Sequence, residues 1–186
     1  MPEYYFDIET APLERFKGDE KASFDPSKAK IISIQYQHLD TMTGMPRGEL
    51  HILKEWEAGQ SEGAIIQQFK KIFIDDGFWQ FIPIGNNLVF DYRFMKYKLK
   101  QYCNVDGLKL GNRPMIDLKH VLVIANNGSF KGYDKLLQKS DLAANISSWY
   151  YTKDWPSIEK YITNEALNFL RAYSILKREI PKITLV

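Results

Sequence analysis

The chain has 186 residues, of which 45% are hydrophobic, a formal net charge of +2 and a sequence pI near 8.5. A chain of this size can bury one full core, so we expect a single domain over residues 1–186, and its small charge permits nucleic acid as a partner without the excess of a polybasic binder. The only cysteine, Cys103, excludes an intrachain disulfide and any cysteine-based zinc site, and no apolar run approaches the roughly 20 residues of a membrane span.

The first predicted element is a strand over residues 4–10, which is rich in aromatic and β-branched residues and contains no Gly or Pro. Alternate residues of a strand share a face, so Asp7 and Glu9 point the same way. Buried like charges repel, and a divalent cation such as Mg²⁺ or Mn²⁺ compensates them. An edge strand whose acids face water explains the Asp-x-Glu pattern alone equally well.

Because this strand begins so near Met1, we expect no signal peptide and a cytoplasmic protein without a membrane partner.

The rest of the chain alternates between strand and helix patterns. We expect the following elements: a loop over 11–29, a hairpin over 30–54, a helix over 61–74, a strand over 81–84, helices over 90–102 and 116–125, a loop over 126–129, a short helix over 133–139, and a last helix from about Trp155 to about Glu179. Asp154 is a suitable N-cap for that last helix, and Pro156 falls in its first turn. This order predicts an α/β fold with one mixed sheet.

A second polar stretch, Gly85-Asn86-Asn87-Leu88-Val89-Phe90-Asp91, joins a predicted strand to a predicted helix. Such junctions are common ligand sites in open α/β sheets. Asp91 falls in the first helical turn, where the helix dipole favours an acid. The stretch therefore indicates either a ligand site or simple complementation of the helix dipole.

The third stretch lies on the last helix. Tyr161 and Glu165 are four residues apart and share one helix face. That face continues with apolar residues, so Glu165 lies either at the edge of an apolar stripe or in a site. Tyrosine at this spacing is more often part of a core than a catalyst.

Together the three stretches resemble the 3′–5′ exonucleases of the DnaQ-like, ribonuclease H-like superfamily. The closest resemblance is to the proofreading exonuclease domain of family B DNA polymerases and its stand-alone predicted relatives. Residues 6–10, Phe-Asp-Ile-Glu-Thr, match the first motif of that family at every position. Asn87 with Phe90-Asp91 matches the second motif, and Tyr161 with Glu165 matches the tyrosine form of the third, Tyr-x-x-x-Asp, except at its last residue. Residues 115–118 are similar to the segment that these proteins carry between the second and third motifs.

The chain departs from the family pattern at two positions. The family's fourth acid is usually Asp, whereas Glu165 stands here, and Asn86 stands where many relatives have His. Tyr150 and Asp154 have the spacing of a rival third motif. We reject that pair because Asp154 is expected at the start of the helix, so the two residues would not share it.

The resemblance implies a ribonuclease H-like sheet and two-metal hydrolysis, with two Mg²⁺ or Mn²⁺ ions about 3.5–4 Å apart. Asp7 would bridge both ions, Glu9 and Glu165 would complete one site, and Asp91 would hold the other, partly through water. Tyr161 would orient the nucleophilic water. The expected reaction removes 5′-mononucleotides from the 3′ end of single-stranded nucleic acid, with DNA as the first choice of substrate.

The resemblance also implies contacts to a single strand. Thr10, Asn87 and Phe90 are the expected substrate-binding residues. Bases would stack on aromatic residues, for which the candidates are Phe90, Tyr92 and Phe130. Packing in the core is the alternative for these residues, and it explains Phe90 about as well. The phosphate backbone would meet some of a set of lysines, most of which are more simply a solvated helix face: Lys96, Lys98, Lys100, Lys131, Lys135 and Lys139.

Two alternatives stay open at this point. The chain could be a catalytically weak or inactive exonuclease-fold module that binds nucleic acid, a possibility raised by Glu165. It could also be an RNA exonuclease, because nothing in the sequence separates DNA from RNA. A proofreading role would need a separate polymerase or repair protein as a partner.

Overall fold

The computed structural model describes residues 1–19, 21–106, 113–129 and 141–182. Its described strands form one mixed sheet of five, in the order β3-β2-β1-β4-β5. The strands are β1 (Glu3–Pro12), β2 (Ala29–Leu39), β3 (His51–Lys54), β4 (Ile82–Gly85) and β5 (Ile116–Asp117). β1 is central, since it pairs antiparallel with β2 and parallel with β4. The expected α/β fold with one mixed sheet is confirmed.

The helices used in this description are α1 (Glu62–Lys70), α2 (Leu88–Cys103), α3 (Leu118–Ala125), α4 (Ile146–Thr152) and α5 (Trp155–Glu179). The helices expected over 61–74, 90–102 and 155–179 are confirmed, and α1 continues into a π-helical turn at Lys71–Asp75. The helix expected over 116–125 is wrong at its first two residues, which form β5. The helix expected over 133–139 lies outside the described residues. Among those residues, no helix is both long and apolar enough to cross a bilayer.

Helices cover both faces of the sheet. On one face, Phe6 and Ile8 pack with Phe69 of α1 and Phe94 of α2. On the other, Tyr5 packs among residues of α3 and α5. The central strand therefore packs against helices on both faces, which explains why it has buried apolar side chains on both sides, Tyr5 on one and Phe6 and Ile8 on the other. After Phe6, the polar residues of the strand are Asp7, Glu9 and Thr10.

The start of α5 agrees with the sequence prediction. Asp154 accepts hydrogen bonds from the backbone N–H of Ser157 at 3.3 Å and from its hydroxyl at 2.7 Å. Tyr150 belongs to α4, and its hydroxyl donates to Glu55 at 2.7 Å. The rejected Tyr150–Asp154 pair is thus divided between two helices, whereas Tyr161 and Glu165 both lie inside α5.

Candidate metal centre

Three carboxylates from β1 and α5 meet at one point. Asp7, Glu9 and Glu165 are half-buried, and each offers an oxygen within 4.8 Å of the other two. Asp7 and Glu9 project from the same face of β1, and α5 packs over that face and brings Glu165 to them. Like charges about 4 Å apart repel by about 4 kcal/mol at an effective dielectric constant near 20. Such a cluster of hard carboxylate oxygens could hold a metal ion.

Asp91 lies beside this cluster. Its side chain is buried, with the residue only 2% exposed, and Oδ1 accepts a hydrogen bond from the backbone N–H of Ile8 at 3.2 Å. Ile8 is the residue between Asp7 and Glu9. The first turn of α2 therefore places Asp91 next to the same stretch of β1, and the structure brings all four predicted acids into one region.

The turn between β4 and α2 depends on Gly85 and Asn87. A Cβ atom at Gly85 would lie 2.7 Å from the carbonyl oxygen of Phe6, so only glycine allows this close approach to β1. Asn87 is left-handed, with φ 65°, and its backbone N–H donates to Asp117 Oδ1 at 2.8 Å. Lys119 Nζ donates to the Asn87 side chain, also at 2.8 Å. Asn87 thus has a clear part in shaping the turn that presents Asp91.

Asp117 is the residue in this arrangement whose contribution the sequence did not reveal. It is 7% exposed and binds the backbone N–H groups of Asn87 and Lys119. The available signal was the likeness of residues 115–118 to the segment between the second and third motifs. Local periodicity instead placed Asp117 inside a helix, because a two-residue strand has no pattern of its own.

Tyr161 borders the acids from α5. It is 6% exposed, and burial raises the pKa of its hydroxyl, with further increases from the charges of Glu9 and Glu165 and from a hydrogen bond to Glu165. Burial likewise raises the pKa of Tyr5, followed by the charges of the four acids. Both phenols therefore keep their protons, and Tyr161 is a hydrogen-bond donor at the site rather than a base.

The acids line a cleft of about 960 Å³, a volume in the range of ligand pockets. Its opposite wall consists of the β1–β2 connection and α4, including Lys17, Ser23, Ser147 and Tyr151. Thr10 donates its hydroxyl proton to the Ser23 carbonyl at 2.9 Å and so fixes that wall. Of the described residues that line the cleft, five are acidic and only Lys17 is a Lys or Arg. The cleft therefore favours a cation near its acids.

Two phenylalanine rings line the cleft, Phe24 and Phe90. Phe24 is 62% exposed, and its ring meets that of Phe90 edge to face, with centroids 6.2 Å apart. Arg93 fixes this arrangement by donating to the Phe24 carbonyl at 2.5 Å. Phe24 was not among the predicted stacking residues, because it lies in the connection predicted as a loop. Tyr92 does not line the cleft; its ring packs edge-on against Phe73 in the core, so the stacking prediction for it is wrong.

Lys98 is not available to a phosphate backbone, which corrects another prediction. It is 2% exposed, and its ammonium group donates to Ala29 O at 2.7 Å and lies 3.0 Å from Glu62 Oε1. Lys96 is exposed, and Lys100 donates to Asn104 at 2.9 Å. The other candidates for nucleic-acid contacts, Phe130, Lys131, Lys135 and Lys139, lie outside the described residues.

No protein-family model matches this chain, and none of the curated proteins matches it.

Proposed function

We propose that this chain is a metal-dependent 3′–5′ exonuclease that removes 5′-mononucleotides from the 3′ end of single-stranded nucleic acid. DNA is the substrate that we expect. The observation that carries the proposal is the convergence of Asp7, Glu9 and Glu165, with Asp91 beside them. These acids come from three separate segments, the same three that resemble the exonuclease motifs. A water-facing edge strand does not account for them, because β1 is the central strand.

The four acids are the residues that would hold Mg²⁺ or Mn²⁺. When bound, such ions offset the carboxylate charge and stabilise the charge that develops on a phosphodiester during hydrolysis. Glu165 is one methylene longer than the family's Asp, but its carboxylate still reaches the other two. That reach favours an active enzyme over an inactive binding module.

The chain's own residues would align the substrate. Tyr161 keeps its proton, which it shares with Glu165 in a hydrogen bond, and its hydroxyl oxygen can accept a hydrogen bond from the attacking water and so orient it. Lys17, on the opposite wall, holds its ammonium 4.4 Å from the Tyr151 ring and supplies a positive charge for a phosphate. The exposed ring of Phe24, with the edge-to-face Phe90 beside it at the cleft, is a stacking surface for an unpaired base, as a single-stranded substrate requires. Thr10 and Asn87 would act mainly by shaping the cleft, through Ser23 and Asp117.

The test uses oligonucleotides of one sequence, as DNA and as RNA, labelled at the 5′ end. With Mn²⁺ we expect stepwise shortening from the 3′ end and release of 5′-mononucleotides, and with a chelator no reaction. The Asp7→Asn variant is the matched control, because it removes one charge from the acid cluster and keeps the side-chain shape. Shortening of RNA alone would change the substrate class. If the protein binds the oligonucleotides but does not shorten them with Mn²⁺ or with Mg²⁺, the result would favour the inactive module and contradict the proposal.

A further inference from the structure

One face of β1 lies along one stripe of α5, and the two run in opposite directions. The strand face carries Glu3, Tyr5, Asp7 and Glu9, which alternate along β1. The helix stripe repeats every four residues and carries Tyr161, Glu165, Phe169, Tyr173 and Lys177. Three contacts join them in order: the acids meet Glu165, Tyr5 meets Phe169 with ring centroids 5.0 Å apart, and Glu3 meets Tyr173.

The spacing along the two elements matches. From Glu165 to Tyr173 and Lys177 the helix rises about 12–18 Å, at 1.5 Å per residue. From Glu3 to Asp7 and Glu9 the strand extends about 13–20 Å, at about 3.3 Å per residue. Because both elements are rigid over this length, an axial shift of α5 at Tyr173 displaces Glu165 by a similar amount.

The end of this stripe remote from the acids is held by directional polar contacts. Glu3 accepts hydrogen bonds from the Tyr173 hydroxyl and from Lys177 Nζ, one on each carboxylate oxygen and both at 2.7 Å. Lys177 also donates to the Thr41 carbonyl at 2.9 Å. The Glu3 and Lys177 side chains are only 12% and 21% exposed. Partial burial makes this charge-assisted pair stronger than a surface pair.

The turn after β2 packs against the same part of α5. Gly44 has φ +70°, and a Cβ atom there would lie 3.0 Å from the Tyr173 ring and 3.2 Å from Lys177 Cγ. A glycine is required both by that φ and by the close approach. The carboxyl-terminal half of α5 is therefore held by β1 and by this turn together.

Between the two ends the contact is apolar, through residues such as Ala166, Phe169 and Leu170. Apolar burial is not directional, so it holds α5 against the sheet without fixing its axial position. At the other end, repulsion among Asp7, Glu9 and Glu165 tends to push the helix away before a cation binds. Apolar burial opposes movement of α5 away from the sheet, whereas movement along the helix axis is opposed by directional contacts.

We propose that Glu3, Tyr173 and Lys177 form a positioning clamp that sets the register of α5 on β1 and so places Glu165 and Tyr161 against Asp7 and Glu9. This inference rests on the proposed function, since it assumes that the acids bind a divalent cation. None of the three clamp residues lines the cleft. They act through Glu165 and not on the substrate.

The test measures Mn²⁺ affinity by calorimetry in Lys177→Met, which keeps most of the side-chain length and removes the charge. We expect affinity to fall about tenfold, the lower end of the loss seen when residues that orient metal ligands are changed. Arg178→Met is the matched control, because Arg178 lies on the same turn, is exposed and pairs only with its neighbour Glu179 among the described ion pairs; its affinity should equal that of the wild type. Tyr173→Phe keeps the ring and provides a second, milder variant if Lys177→Met folds poorly.

A double-mutant cycle separates positioning from general destabilisation. In a Glu165→Gln background, Lys177→Met should lower Mn²⁺ affinity much less than in the wild type, since the ligand that the clamp positions has been lost. Unchanged affinity in folded Lys177→Met and Tyr173→Phe, or an equal loss in both backgrounds, would overturn the clamp while leaving the metal site intact. Absence of Mn²⁺ binding by the wild type would overturn the proposed function itself.

Discussion

The carboxylate of Asp91 accepts a hydrogen bond, at 3.2 Å, from the backbone N–H of Ile8. This bond ties the first turn of α2 to β1 between Asp7 and Glu9. Because Asp91 is buried, removing its carboxylate would leave that N–H without this acceptor, at a cost of about 1–3 kcal/mol. A loss of activity in an Asp91 variant would therefore have two explanations, a damaged fold or a damaged site. Asp7, which is only half-buried, is the better residue to change.

Asp7→Ala should abolish hydrolysis and leave folding intact or improved. Asp7 belongs to the crowded cluster, so its removal relieves carboxylate repulsion while taking away a central ligand. Nucleotide release and urea unfolding, measured side by side, check both expectations. Asp19→Ala is the control, because Asp19 also lines the cleft but lies outside the three-acid cluster. An Asp7→Ala protein that hydrolyses at the wild-type rate would place the activity elsewhere.

Asp154 and Glu165 should give opposite results. Asp154→Ala removes the N-cap of α5 and should lower the free energy of unfolding by about 0.5–2 kcal/mol with little loss of activity. Glu165→Ala should greatly reduce activity with a modest change in stability. Glu165→Asp should retain metal binding, and with Mg²⁺, whose geometry is strict, its rate could exceed that of the wild type. Loss of activity in folded Asp154→Ala but not in Glu165→Ala would refute the assignment.

Stability should fall at alkaline pH. Burial raises the pKa values of Tyr102, Tyr150 and Tyr173, and each of them also donates a hydrogen bond to a glutamate. Because the folded-state pKa values exceed the ordinary value of about 10, this stabilisation is complete below pH about 10 and is lost as pH rises above it. Urea unfolding at pH about 8 and about 11 should show the decline. In Tyr173→Phe, the free energy of unfolding should fall less between these two pH values than in the wild type. An equal fall in both proteins would contradict a contribution from ionisation of Tyr173.

Phe24→Ala should weaken substrate binding without affecting the fold. Stacking on an aromatic ring contributes about 1–3 kcal/mol per base, so we expect KM for a single-stranded oligonucleotide to rise about tenfold or more. The ring is 62% exposed, and its loss should leave the urea midpoint unchanged. Met42→Ala, at a side chain that is 82% exposed and does not line the cleft, serves as the control. Equal KM values for both variants and the wild type would exclude Phe24 from the substrate path.

The parts of the fold with strong local patterns were predictable from the sequence. β1 follows from its aromatic and β-branched residues, the start of α5 follows from the Asp154 cap, and the shared face of Asp7 and Glu9 follows from strand alternation. Features fixed by distant contacts were not predictable. β5 exists only because Ile116 and Asp117 pair with the end of β4. α4, which forms one wall of the cleft, also went unpredicted.

Within the site, sequence identified the acids but not all of their neighbours. The four acids and Tyr161 lie in the stretches that resemble the exonuclease motifs. Phe24 lies in a predicted loop, where no sequence pattern indicated a role in binding. Lys98 looked like one of several surface lysines, because the sequence does not show that Glu62, on another helix, receives its ammonium group. Burial of a charged residue is decided by such long-range pairs, which local periodicity cannot report.

A calorimetric titration of the wild-type protein with Mn²⁺ tests the metal centre most directly. We expect binding that Asp7→Asn loses or greatly weakens, together with a rise in melting temperature, because an ion that binds only the folded state stabilises it. Relief of repulsion among Asp7, Glu9 and Glu165 should add to that rise. An absence of heat and of any thermal shift at Mn²⁺ concentrations on the order of millimolar, where such a site should fill, would contradict the metal centre and the exonuclease proposal with it.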